Sequence, residues 1–168
     1  MMDVFKEQIL KVKKSTAEYL LMAVIVIVAL VVSVVLFLMS GFEPLFILFI
    51  VAVIYGTGKL LSMFSIEYEY IVTNTMIDVD KIMSKSSRKR IISFEGKDIL
   101  RTEKVGATAP VTDAAERYIC CNKDDKNAYW VLVSQSGKKV LLMMAPNEKI
   151  IEAIKLGSPK MTSKDIFN

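Results

Sequence analysis

The sequence predicts a membrane-spanning α-helical hairpin followed by a mainly-β domain of about seven short strands with a C-terminal capping helix. Two long apolar runs lie within residues 19–64, apolar and polar side chains alternate with period two from Ile66 onward, and an amphipathic helical pattern follows near residue 150. Alternation of period two is typical of strands with one buried face, whereas apolar runs of about 20 residues match the length of helix that crosses a bilayer. Because consecutive strands tend to be neighbours, we expect a mostly antiparallel, closed or nearly closed sheet.

The composition argues against several classes of function. The chain has 168 residues, a net charge of only +4 and no histidine. Such a weak basic balance does not indicate nucleic acid, and the lack of histidine removes the commonest general base and metal ligand. Cys120 and Cys121 are adjacent, so they give neither a disulfide framework nor a metal-binding spacing. We expect a buried residue and its neighbour rather than a reactive or lipidated pair, and no catalytic residue, metal site or cofactor.

The segment 1–18 is amphipathic, with four apolar residues set against lysines (Val4, Phe5, Ile9, Val12). This pattern predicts one of two structures. The segment lies on the anionic inner leaflet, or it is the frayed start of the first membrane helix.

Two membrane spans are expected at residues 19–39 and 45–64. The first carries no charge, and a helix of its length extends about 30 Å, which is the thickness of the hydrocarbon core. Its apolar core is too long for a signal peptide, and a second apolar run follows the turn at residues 40–44.

Three residues of the second span suggest specific roles. Lys59 lies near the end of the span, where it is expected to anchor the helix at the interface, the alternative being a functional cation within the membrane. Ala52 and Gly56 form a small-xxx-small pair that favours close helix packing, either within the hairpin or between proteins.

Lysines flank the hairpin asymmetrically. The first segment carries Lys6, Lys11, Lys13 and Lys14, while the connecting turn carries no Lys or Arg. The positive-inside rule therefore predicts a multi-pass protein of the cell membrane with both termini in the cytoplasm.

The cytoplasmic domain is expected to span residues 66–158, with a flexible tail at 159–168. Pro146 suits the start of the last helix, and Gly157 with Pro159 ends it. Gly96–Glu103 is compatible with a short strand or a helical turn. The other predicted strands are 66–73, 76–83, 88–95, 116–121, 128–134 and 138–144.

Three stretches support a resemblance to a known family: EYEYIVTNTMIDVDKI after the two spans, the basic RKRIISF, and the final VLLMMAPNEKIIEAIK. With these the chain resembles bacterial pleckstrin-homology-like (PH-like) membrane proteins. More closely, it is similar to a small family of uncharacterised two-span proteins from clostridia and their relatives. The resemblance implies a PH-type barrel with a capping helix, and it implies no catalytic residues.

A basic segment covers the loop between the second and third predicted strands of the domain and the start of the third strand. Its cations are candidates for contact with anionic lipid headgroups, and the alternative is a solvated turn (Lys85, Arg88, Lys89, Arg90). The PH domains that bind phosphoinositides carry basic residues around their first hairpin loop. That loop is Asn74–Met76 here and has no basic residue, so an inositide site is not supported.

The last predicted hairpin is apolar on both faces. If its other residues point into the core, four side chains point outward and form a candidate partner surface, unless the C-terminal helix covers them (Trp130, Leu132, Leu141, Met143).

The expected function is a membrane-anchored binding or scaffolding module of unknown specific activity. Its expected partners are the bilayer, anionic headgroups and either a membrane protein or a second copy of the chain. The first alternative is a structural or regulatory subunit that packs into a larger membrane complex through its hairpin. A channel or transporter ranks third, because two nearly uncharged spans enclose a pore only as an oligomer.

Overall fold

The computed structural model describes residues 4–39, 43–106, 113–157 and 167. These residues form two compact units. One contains residues 13–66, and the other joins the segment that ends at Val12 to the chain from Glu67 onward.

The first unit is a pair of helices, α1 (Thr16–Met39) and α2 (Pro44–Ser62). The Glu18 carboxylate accepts a hydrogen bond of 2.7 Å from the Ser15 amide, half of a capping box, and this explains why α1 begins three residues before the predicted span. Pro44 occupies the first turn of α2, where its missing N–H costs nothing. Both helices are long and apolar enough to cross a membrane.

The second unit begins with a four-stranded sheet. Its strands are β1 (Phe5–Lys11), β2 (Ile66–Thr73), β3 (Met76–Met83) and β4 (Ser87–Glu95), in that spatial order. The period-two pattern correctly predicts β2, β3 and β4, with Tyr70, Val72 and Ile77 buried.

The segment before the hairpin differs from both expectations for it. Instead of lying on a leaflet or starting α1, β1 pairs antiparallel with β2, with Phe5 opposite Thr73 and Lys11 opposite Glu67. The physical reason is a pairing partner about 60 residues away, which supplies the backbone hydrogen bonds that an isolated amphipathic segment lacks. The β-domain therefore includes this segment and is not confined to residues 66–158.

A side chain of β1 also ties it to the chain before the last helix. The Gln8 side-chain amide donates to the Ala145 carbonyl at 3.0 Å, and its oxygen accepts from the Asn147 amide at 2.7 Å. These bonds satisfy two backbone groups that neither a strand nor a helix pairs.

Four further strands form a second sheet. They are β5 (Ile99–Lys104), β6 (Glu116–Ile119), β7 (Tyr129–Gln135) and β8 (Lys138–Met144), in the order β5-β7-β8-β6. A 3-10 turn at Gly96–Asp98 precedes β5, which resolves the ambiguous segment. β7 is antiparallel to both neighbours, whereas β6 runs parallel to β8. The described residues thus form eight strands in two sheets, rather than about seven in one closed sheet.

The helix α3 (Glu148–Gly157) completes the domain. The Asn147 side chain caps it by accepting a bond of 2.9 Å from the Ile150 amide. Ile150 and Ile154 join a core to which both sheets contribute. The helix ends against the β2–β3 turn, where a Cβ added to Gly157 would lie 2.8 Å from the Asn74 carbonyl oxygen.

One residue of the predicted flexible tail belongs to this core. Phe167 is only 6% exposed and packs with buried residues of both sheets. The rest of the predicted tail, residues 159–166 and 168, lies outside the described residues, as does residue 158.

Candidate functional site

The predicted basic site lies at the β3–β4 hairpin. Lys85 occupies the turn, and the other three cations begin β4 (Arg88, Lys89, Arg90). All four residues are exposed. Ser84 and Lys85 have φ angles of 54° and 58°, in the left-handed region that tight turns require. The structure therefore brings the four predicted residues together, mostly on a strand rather than in a loop.

Two of the four cations form ion pairs within the domain. The Arg88 Nη2 lies 2.9 Å from a carboxylate oxygen of Glu69 on β2. Arg90 reaches Asp80 at 3.0 Å and Asp78 at 3.1 Å, both on β3. A β-bulge explains the contact between Arg90 and Asp80. The register shifts between Val79 and Asp80, and this places Arg90 directly opposite Asp80.

The acidic partners of the arginines are unusually buried for carboxylates. Glu69 and Asp80 are 1% and 3% exposed, whereas the side chains of Arg88 and Arg90 are 54% and 52% exposed. Burial raises the pKa of Glu69 above its ordinary value of 4.5, a hydrogen bond with the Glu7 side chain raises it further, and Arg88 opposes both effects. The hydrogen bond with Asp80 raises the pKa of the Arg90 guanidinium, which stays charged.

This arrangement gives the four cations two different roles. The arginines neutralise carboxylates that the sheet has removed from water, so their first role is to join β2, β3 and β4. Their exposed N–H groups face solvent, but an anionic headgroup at this place would also meet three carboxylates. Lys85 and Lys89 are the members of the cluster best placed to add attraction to an anionic surface.

The predicted partner surface is wrong for two of its four residues. Leu141 and Met143 are only 1% and 3% exposed, while Trp130 and Leu132 are partly buried. Met143 belongs to a second apolar cluster, whose other members come from β1, from β7 and the segment before it, and from the residues that follow β5 and β8 (Leu10, Val105, Cys121, Ala128, Trp130, Ala145). Met143 is therefore covered in part by β1, through Leu10, whereas α3 packs into the main core.

The adjacent cysteines are both buried. Burial is the main reason why the pKa of each thiol rises to about 12. At neutral pH neither is a thiolate, the form that reacts and binds metals, so the geometry disfavours a reactive pair. Within residues 4–39, 43–106, 113–157 and 167, no group of three or more His, Cys, Asp or Glu side chains is arranged to hold a metal ion.

The predicted residues of the second span lie on the surface of α2. Ala52 is exposed, and a Cβ added to Gly56 would meet no atom within 4 Å. The packing of α1 with α2 therefore does not depend on this glycine. The Lys59 ammonium lies 5.9 Å from the centroid of the Tyr55 ring, one turn earlier, a cation–π distance that suits an interfacial anchor.

Sequence reasoning missed two residues that organise the domain. The period-two pattern of residues 66–73 puts Glu69 on the polar face of its strand, but Glu69 is 1% exposed, and its partners Arg88 and Glu7 are distant in sequence. Phe167 was assigned to a flexible tail, and the signal that could have found it is a large aromatic side chain in an otherwise polar segment.

Two four-stranded sheets around one core, with a C-terminal helix packed into it, define a domain of the pleckstrin-homology-like class. The comparison with protein families agrees. The family model described as "Bacterial PH-like domain (DUF6106)" matches residues 2–164, and the chain therefore belongs to this family. No significant match is found among curated proteins or among solved structures. The result is a PH-like domain of unknown specific activity.

Proposed function

We propose that the protein is a two-span membrane protein, of the clostridial type that the sequence resembles, whose PH-like domain acts at the cytoplasmic surface as a binding or scaffolding module. The pairing of β1 with β2 is the observation that supports this topology. Lys11 and Glu67 are opposite each other in one sheet, although the two apolar helices lie between them in the chain. A chain that crosses the bilayer twice returns to the side from which it started, so both strands reach the same compartment.

The side of the membrane is supported by charge. Lysines precede α1, whereas Glu43, at the start of α2, follows a turn without Lys or Arg. The positive-inside rule then favours cytoplasmic termini. The mechanism of the module would be confinement, which raises the effective concentration of the domain for a membrane partner. As such a module, it is proposed to be no enzyme and to need no cofactor.

Site-directed labelling of the full chain in intact cells tests the topology. A membrane-impermeant maleimide is expected to label Glu43→Cys from outside and Ser136→Cys, in the exposed β7–β8 turn, only after permeabilisation. The native cysteines are buried and serve as an internal control. Labelling of Ser136→Cys in intact cells, or protection of Glu43→Cys until permeabilisation, would refute the proposal.

Anionic headgroups are the first ligand that we propose for the module. The test compares the full chain in nanodiscs of phosphatidylglycerol with nanodiscs of phosphatidylcholine. We expect the anionic lipid to raise the melting temperature of the domain, and the double variant Lys85→Glu/Lys89→Glu to lose this rise at low salt. The matched control is Lys123→Glu/Lys126→Glu, two other exposed lysines that should retain it. An equal rise in both double variants would exclude this lysine pair as the contact.

The alternative function is a subunit of a larger membrane complex. The open space around Gly56 supports it, because a second helix can approach closely at Ala52 and Gly56. In-cell photo-crosslinking from α2 should then give one defined product that Gly56→Leu abolishes. Gly58→Leu is the matched control, since Gly58 is equally open but lies about 200° further round the helix. Loss of the product in both variants, or in neither, would count against packing at this face.

A further inference from the structure

We propose that the place occupied by Phe167 is a binding site for a phenylalanine-bearing peptide segment, filled in this structure by the chain's own residue. The site lies within the β-domain and does not depend on the membrane orientation proposed above. It is distinct from the basic cluster on β4 and from the apolar face of α2.

Two neighbouring strands of the second sheet form the site. Thr102 on β5 is opposite Val131 on β7, and Lys104 is opposite Tyr129, so Thr102 and Tyr129 lie two positions apart along one pair of strands. The Tyr129 and Phe167 rings meet edge to face, with centroids 5.0 Å apart and planes at 87°. This is one of the preferred geometries of an aromatic pair.

The site also recognises the backbone of its occupant. The Phe167 amide donates a hydrogen bond of 3.0 Å to the Thr102 hydroxyl oxygen. The site therefore contacts both the ring and the backbone N–H of its occupant, and Phe167 is almost wholly removed from water. A peptide needs only a phenylalanine and its own amide to make the same two contacts.

The backbone of Phe167 shows that the site, rather than local preference, sets its conformation. Its φ angle is 58°, in the left-handed region that a bulky residue rarely adopts. A conformation of this kind persists only where surrounding contacts compensate for its cost. Here those contacts are the ring pair with Tyr129 and the hydrogen bond from the Phe167 amide to Thr102.

The connection to the rest of the chain explains why the site is filled from within. Phe167 is ten positions beyond Gly157, the last residue of α3, and so it is tethered close to its own site. Because the contact is intramolecular, a free peptide competes with it only in large excess. The site is open to a partner segment when the chain's own phenylalanine has been displaced.

The test measures binding of a labelled peptide with the sequence of residues 158–168 to the full chain in detergent. We expect saturable binding to the Phe167→Ala chain and at least a tenfold weaker apparent affinity for the wild-type chain, whose site is occupied. The control peptide carries alanine in place of the phenylalanine and should not bind either chain. A Thr102→Val substitution in the Phe167→Ala chain should weaken binding several-fold, because it removes the acceptor of the peptide amide.

A second measurement uses the unmodified chain, in case Phe167→Ala does not fold. The Phe167 amide should be protected from hydrogen exchange, and excess wild-type peptide should remove this protection while the alanine peptide leaves it unchanged. Two results would overturn the proposal. One is a folded Phe167→Ala chain that binds neither peptide or both equally, and the other is protection of the amide that the wild-type peptide does not alter.

Discussion

At the scale of single residues, the contact of Glu69 with Arg88 stands out because a buried charge has a half-exposed partner. Glu69 is 1% exposed and comes from β2, an interior strand of the four-stranded sheet, while Arg88 comes from the edge strand β4. Removing the partner of a buried charge usually costs more than the pair itself contributes, since the remaining charge has lost its water.

We therefore expect Arg88→Ala to lower the free energy of unfolding by about 2 kcal/mol, and Lys89→Ala to change it by less than about 0.5 kcal/mol. Lys89 is the matched control, because it is the next residue on the same strand and is exposed. Urea unfolding of the full chain in detergent, followed by the fluorescence of Trp130, would measure both. Equal losses would show that the ion pair has no special role.

The raised pKa of Glu69 predicts how stability depends on pH. A carboxyl whose pKa is raised in the folded state binds its proton more tightly there than in the unfolded chain. Its contribution to stability is fully present below the ordinary value of 4.5 and is lost as the pH rises through the folded-state pKa. Glu69→Gln removes this titration, so the stability of the wild type relative to Glu69→Gln should rise as the pH falls toward 4.5. A constant difference between the two proteins across this range would contradict the assignment.

Only part of this detail was predictable at the residue scale. The run of basic residues is visible in the sequence, and it does form one cluster. Its acidic partners are not visible, because Arg90 comes opposite Asp80 only through a bulge of one residue. Met143 was expected to be exposed because Leu10, which packs in the same apolar cluster, comes from β1 and is distant in sequence.

At the scale of elements, α3 is positioned by a close approach that tolerates no side chain at its last residue. A Cβ on Gly157 would lie 2.8 Å from the Asn74 carbonyl oxygen and 3.2 Å from the Thr75 Cα. Both are backbone atoms of the β2–β3 turn, so relief requires that the helix or the turn moves.

Gly157→Ala is accordingly expected to destabilise the domain by about 1–3 kcal/mol, the usual cost of overpacking. Gly106→Ala provides the control, since an added Cβ there meets no atom within 4 Å, and its effect should be neutral or slightly stabilising. Thermal unfolding of the two variants side by side would decide the matter. A harmless Gly157→Ala would mean that α3 ends farther from the turn.

The elements with a strong local signal were correctly predicted, namely both apolar helices, the strands β2 to β4 and the β7–β8 hairpin. The strand β1 was not predicted, because seven residues that alternate weakly are compatible with a helix, and the partner that decides between the two follows both apolar helices. The parallel placement of β6 beside β8 was also beyond reach, since strand order depends on contacts across the sheet rather than on neighbours in sequence.

For the whole molecule, the β-domain is built from two separate parts of the chain. This division predicts that residues 66–168 alone fold poorly, because β2 then exposes the edge that β1 covers and the core loses part of its boundary. A chain in which Asn-Gly replaces residues 13–65 should fold as a soluble monomer. The replacement leaves Val12 and Ile66 after the Lys11–Glu67 pair and supplies a two-residue hairpin turn between them.

Dispersed amide signals in an NMR spectrum of the linked chain, and collapsed signals for residues 66–168, would agree with this prediction. Well-dispersed spectra from both would show that β1 is dispensable.

The interrupted sheet has a further consequence for biosynthesis. Translation releases β1 first, but its pairing strand β2 leaves the ribosome only after both apolar helices have been synthesised. Until then the nascent strand has an unsatisfied edge that chaperones or neighbouring polypeptides can capture. On the proposed two-span topology, the sheet can be completed only when both ends of the helix pair are on one side of the membrane, and a molecule inserted otherwise would keep β1 and β2 apart.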